Sequence, residues 1–141
     1  MTEFANAAVY SRRRTITYWV ATILLATECV AGGVMGALRL PPFIGIIQHL
    51  GYPPYFMTIL GVWYVLAGVA LLVPRFPRLK EWAYAGLFFN YTGAAASHLA
   101  AGDPATALIG PVIFTGLVAA SWALRPPSRR LLPKSATRGH E

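Results

Sequence analysis

A carboxyl set inside an apolar run is the group in this 141-residue chain best suited to chemistry, and Glu28 is that group. It lies about eleven residues into the run Ile16 to Leu38, or about 16 Å from its start at the helical rise of about 1.5 Å per residue. If that run crosses a bilayer, Glu28 sits near mid-membrane, where a charged side chain costs at least about 2.5–3.5 kcal/mol. It is therefore expected to face a protein interior and to hold a partner. There it can accept a proton, grip a ligand, or simply hydrogen-bond one helix to another.

A second set, Asn90, Ser97 and His98, recurs with Ala94 at spacings of four, three and one, which gathers all of them on one helical face. Asn90 lies about 12 Å into its own run, close to the depth of Glu28, and His98 lies two turns further toward the opposite mouth. A polar vestibule lined by Glu28, Asn90, Ser97 and His98 is expected. The bland alternatives are an interhelical hydrogen bond for Asn90, worth about 0.6 kcal/mol in lipid, and a helix-closing histidine for His98. His49, beside Gln48 in a linker, is expected to fold over the same mouth as a fifth ligand contact. In a reaction, Glu28 and His98 would form the catalytic acid–base pair.

Other residue patterns narrow the chemistry. His49 and His98 are far apart in sequence and no acidic cluster accompanies them, so no metal is expected and no cofactor is specified. Asp103 is expected to cap the helix that follows it. For Tyr64, Tyr91 and Trp63 an aromatic pocket and ordinary packing predict the same residues. Cys29 is the only cysteine, which removes thiol–disulfide catalysis by this chain alone. Gly32-Gly33-x-x-Gly36 follows no strand and is no dinucleotide turn.

These residues need elements to carry them, and four apolar runs supply them. They extend from Ile16 to Leu38 with Thr15 as N-cap, Tyr55 to Val73, Trp82 to Ala100, and Ala105 to Leu124. Each has roughly 18–23 residues, enough for a hydrocarbon core of about 30 Å. None alternates with period 2, which excludes membrane strands. The longest connection, residues 39–54, carries Pro41, Pro42 and Gly45 and is expected to include a short interfacial or re-entrant helix. Trp19, Tyr55, Trp82, Tyr84 and Trp122 lie near run ends, where such rings anchor at headgroup level. Gly32-x-x-x-Gly36, Gly61, Gly68, Gly86 and Gly93 permit close helix approach, within the chain or between two copies.

Composition agrees. Hydrophobic residues make up 56% of the chain and charged ones 12%, half the roughly 25% of soluble domains. The net charge of +7 gathers between the runs instead of along an aromatic-interleaved stripe, so nucleic acid is not an expected partner. Eleven of the twelve Lys and Arg residues fall on segments sharing one side, and Arg39 alone on the other. The positive-inside rule then makes this an all-α, polytopic protein of a bacterial cytoplasmic (inner) membrane, a four-transmembrane-helix bundle with both termini inside. Residues 1–15 form a basic cytoplasmic segment, 16–125 the membrane domain and 126–141 a basic, disordered tail.

Several segments together resemble the DoxX-like family of small membrane proteins. They are Leu50-Gly51-Tyr52-Pro53, Ile59-Leu60-Gly61-Val62-Trp63, the linker from Pro74 through Arg75, Arg78 and Lys80 to Gly86, and Thr92 through Ser97-His98 to Gly102-Asp103. The resemblance covers roughly residues 17–125. It implies a four-helix membrane bundle, and through a family named for a subunit of quinone-linked sulfur oxidation it implies a redox-enzyme partner. The expected function is binding of a lipophilic small molecule, quinone or isoprenoid-like, amid membrane lipids. The alternatives are a cofactor-free isomerase or hydrolase of a lipophilic substrate, and a structural subunit that acts as a homo-oligomer or within a complex.

Overall fold

A computed structural model describes residues 2–131, with side chains from residue 11 onward. Five helices make up the fold: α1 (Thr2–Ala37), α2 (Phe43–His49), α3 (Pro54–Leu72), α4 (Pro77–Ala100) and α5 (Ile109–Leu124). No strand occurs among the described residues. Short 3₁₀ turns, Ala105–Leu108 and Pro127–Arg129, precede and follow α5. Of the tail 126–141 expected to be disordered, Pro127–Arg129 form the second 3₁₀ turn, and residues 132–141 lie outside the described residues.

The chain starts and stops its helices by proline and glycine chemistry. Pro54 and Pro77 open α3 and α4, where a missing N–H costs nothing. Gly102, with φ +76°, ends α4 in the left-handed region that glycine tolerates best. Thr15 does not cap α1 as expected. It lies inside that helix, and its hydroxyl donates back to the carbonyl of Ser11 at 3.0 Å. The expected short linker helix is α2.

Stretches Ser11–Ala37, Pro54–Leu72 and Ala105–Leu124 are long and apolar enough to cross a membrane. At 24 residues α4 is long enough too, but Lys80, Glu81, Asn90, Ser97 and His98 hold it outside that class by composition. Large apolar side chains point outward, with Trp63 66% and Phe89 70% exposed. Water tolerates no such belt, whereas acyl chains solvate it. The chain is an integral membrane protein.

The four long helices pack as neighbours in the cycle α1–α3–α4–α5–α1. Small residues fix the closest of these contacts. A Cβ added to Gly61 would lie 2.3 Å from the Ala37 nitrogen and 2.4 Å from the Gly33 carbonyl oxygen, so the α1 and α3 backbones touch there. Gly36 meets Met57 and Gly68 meets Cys29, whereas Gly86 and Gly93 have open space around them. The buried core consists of Leu25, Cys29, Leu71, Tyr84, Leu87, Tyr91 and Val118.

One end of this helix cycle is tied by cations that the sequence offers only as membrane-side charges. Lys80, 1% exposed, donates to the carbonyl oxygens of Ala70 at 2.6 Å, Leu71 at 3.0 Å, and Val73. Arg129 reaches the Leu71 carbonyl at 3.0 Å and stacks over Trp19. Arg125 pairs with Glu81 at 2.7 Å above the ring of Tyr84. Tyr84 is thus buried, not a headgroup anchor as expected, and its hydroxyl bonds Ser121, which also bonds Thr22, at 2.7 Å each.

Candidate functional site

The α4 face predicted from spacing lines a cavity of about 670 Å³ in the half of the fold away from Lys80. Glu28 and Gly32 of α1 form its floor side, and α2 covers it with Phe43, Ile46 and Ile47. Met57, Leu60 and Tyr64 come from α3, and Pro111 and Phe114 from α5. The wall is mostly apolar, interrupted by a polar ladder that climbs α4.

At the deepest rung the Tyr91 hydroxyl donates to Glu28 Oε2. Glu28 thus faces α4, as the cost of a carboxyl in hydrocarbon requires. Its second oxygen lies 3.3 Å from where Gly32 would carry a Cβ. A side chain at position 32 would press on that carboxyl and meet Phe43 of α2 at 3.4 Å, so Gly32 leaves room at the cavity and does not bring α1 against α3. Beside this pair Asn90 Nδ2 donates to the Tyr64 hydroxyl, and the Tyr64 and Tyr91 rings meet edge to face at 5.8 Å. The two polar groups therefore join one cluster of α1, α3 and α4 side chains.

The next rung is Ser97. Its hydroxyl donates to the Gly93 carbonyl at 2.9 Å, so it accepts from the Tyr52 hydroxyl, also at 2.9 Å. Tyr52 stacks on Phe56 at 4.9 Å, and Tyr52 and Ser97 line both the cavity and a smaller recess along Ala96 and Ala100.

At the mouth, His98 Nδ1 stands 2.6 Å from Asp103 Oδ2, and His49 Nε2 stands 2.6 Å from Asp103 Oδ1. The left-handed Gly102 folds the chain so that the Asp103 N–H bonds the His98 carbonyl and its carboxylate returns over the histidine ring. Hydrogen bonds from His98 first, then His49, hold that carboxyl below its usual range. Asp103 does not cap the next helix, because both its oxygens are taken; Pro104 stands at that position without a side-chain cap.

Of the five residues singled out from sequence, Glu28, Asn90, Ser97 and His98 line the cavity together. His49 stands outside, joined to it only through Asp103. The partners of these five are Tyr91, Tyr64, Tyr52 and Asp103: Tyr64 and Tyr91 do line the cavity, as the aromatic-pocket reading had it, whereas Asp103 was expected as a helix cap and Tyr52 had no expected role. The one available signal was that each carries a polar atom at the depth of a predicted site residue.

The model of the DoxX-like family matches residues 20–121, which includes every residue of this ladder from Glu28 to Asp103. The chain belongs to the DoxX-like family. No curated protein and no solved structure matches it. In this DoxX-like chain the family match therefore spans the whole cavity, and the ladder's chemistry has to be read from its own residues.

Proposed function

We propose that the protein crosses a bacterial cytoplasmic membrane four times as a four-helix bundle, both termini inside, and binds a lipophilic small molecule, quinone or isoprenoid-like, between its helices. The observation that carries this is the cavity of about 670 Å³, apolar along its sides and polar where Glu28, Asn90, Ser97 and His98 meet it. Such a volume lies in the ordinary range for ligand pockets, about 300–1,000 Å³, and a few convergent polar groups in an apolar wall fix a ligand's head. Paired polar groups also explain how α4 sits among lipid-facing helices despite its composition.

In nanodiscs, geranylgeraniol or decylubiquinone should bind saturably after subtraction of partitioning into empty discs. Glu28→Gln should weaken that binding about tenfold, or about 1.4 kcal/mol. Absence of saturable binding for both compounds returns the protein to a structural-subunit role. The topology has its own test. Ser128→Cys and Ala101→Cys should react with an impermeant maleimide from opposite faces of the membrane, and labelling of both from the periplasm overturns it.

Catalysis by Glu28 and His98 as an acid–base pair has weaker support. Each already has its own partner, Tyr91 and Asp103. Those anchor points, residues 91 and 98, lie about 10 Å apart along α4. A substrate would have to bridge them.

A further inference from the structure

We infer that the His98–Asp103–His49 cluster makes the cavity mouth a hydrogen-bond acceptor, so that the ligand is selected for a hydroxyl group and not for a carbonyl or ether. This rests on the binding role proposed above and narrows its ligand class to a prenyl alcohol, a phenol or a hydroquinone. Of the two probes named there, geranylgeraniol, which carries a hydroxyl, should therefore bind and decylubiquinone, which carries none, should not.

The argument is an inventory of protons. Asp103 accepts at both oxygens, 2.6 Å from each histidine, and an ionised carboxylate has no proton to give. Both imidazoles must therefore donate to it. His98 spends its N–H at Nδ1, and in the neutral ring the other nitrogen, Nε2, is left with a lone pair. His98 lines the cavity, and only 13% of its side chain is exposed. His49, 59% exposed, occupies the second carboxylate oxygen and denies it to competing donors.

The neighbouring rung has no donor to offer either. The Ser97 proton is committed to the Gly93 carbonyl, and the Tyr52 proton to Ser97. Asn90 gives one amide proton to Tyr64 and keeps a second, but it lies eight residues back along α4, about 12 Å below His98. At the mouth a hydroxyl ligand finds an acceptor already oriented, whereas a carbonyl or ether oxygen meets only lone pairs. Sites built to bond a hydroxyl reject the analogue without it strongly, because a buried polar atom is then left unpaired. Asp103 is thus a positioning residue that sets the tautomer of His98.

The probes are 4-decylphenol and its methyl ether, 4-decylanisole, which share ring and tail and differ in that a methyl group replaces the donated proton. Each is titrated by calorimetry against the full chain in nanodiscs, with empty discs subtracted. The phenol should bind at least tenfold tighter. Asp103→Asn, whose amide can donate to His98 Nδ1 and so move the ring proton to Nε2, should shrink the ratio to within about twofold. His98→Phe keeps a planar ring without nitrogens and should do the same, so the outcome does not hang on one variant's folding. A purely structural role for Asp103 would lower both affinities and leave the ratio intact. Equal affinity of the two probes in the wild type overturns this inference and leaves the binding role standing. Binding of neither overturns both.

Discussion

Gly61→Leu should separate α1 from α3 and abolish a cooperative thermal transition in mild detergent, while Gly61→Ala should lower stability by about 2–3 kcal/mol. The reason is what the new Cβ meets. Its neighbours would be the Ala37 nitrogen at 2.3 Å and the Gly33 carbonyl oxygen at 2.4 Å, both backbone atoms of the opposing helix. No rotamer change moves backbone aside, so the helix axes must part. Helices in lipid gain their adhesion mainly from close packing, and α1 with α3 forms the most extensive pair in the fold. The damage should reach the cavity, because Met57, Leu60 and Tyr64 are displaced with α3. Gly86→Ala on α4 is the control. Nothing lies within 4 Å of its added Cβ, so removing a helical glycine there should be neutral or stabilising by about 0.5–1 kcal/mol. If the two alanine variants melt together, backbone contact at Gly61 is not what joins α1 to α3.

The part of this site that could be read from sequence is the part that lipid makes expensive. Glu28 was conspicuous because a carboxyl in an apolar run needs a reason, and Asn90, Ser97 and His98 because their spacing puts them on one face. Their partners were not legible. A tyrosine in a membrane helix looks the same whether its hydroxyl bonds a carboxyl, as Tyr91 does, or stays buried beneath an arginine, as Tyr84 does. Asp103 reads as an N-cap by position, and only the backbone reversal at Gly102 turns its carboxylate toward His98. The glycines misled in a similar way. Gly32-x-x-x-Gly36 looks like one packing motif, yet Gly36 touches Met57 of α3 while Gly32 leaves room for the Glu28 carboxyl. Register between helices decides such cases, and no single helix carries that information.

Lys80→Met should cost about 3 kcal/mol, far more than Arg78→Met two residues earlier. Both residues count equally in a tally of positive charge, and both precede the expected third span. In the fold they differ completely. Arg78 is exposed, whereas Lys80 is 1% exposed with its ammonium among the last carbonyls of α3 and the turn after it. Those carbonyls have no further turn to bond, and they carry the negative end of the helix dipole. Hydrogen bonds from a charged donor are worth about 1.5–3 kcal/mol each, and buried acceptors left unpaired add their own penalty. Arg129 would still reach the Leu71 carbonyl, which keeps the loss below the full sum. Burial, then the guanidinium groups of Arg129 and Arg125, lowers the Lys80 ammonium from 10.5 to about 8. The unfolded chain therefore holds that proton to higher pH than the folded one does, and stability from this group should rise between about pH 8 and 10.5. Melting curves across that window should show the rise in the wild type and lose it in Lys80→Met. Equal losses for Lys80→Met and Arg78→Met, with the same pH profile, would reduce Lys80 to a membrane-side charge like its neighbour.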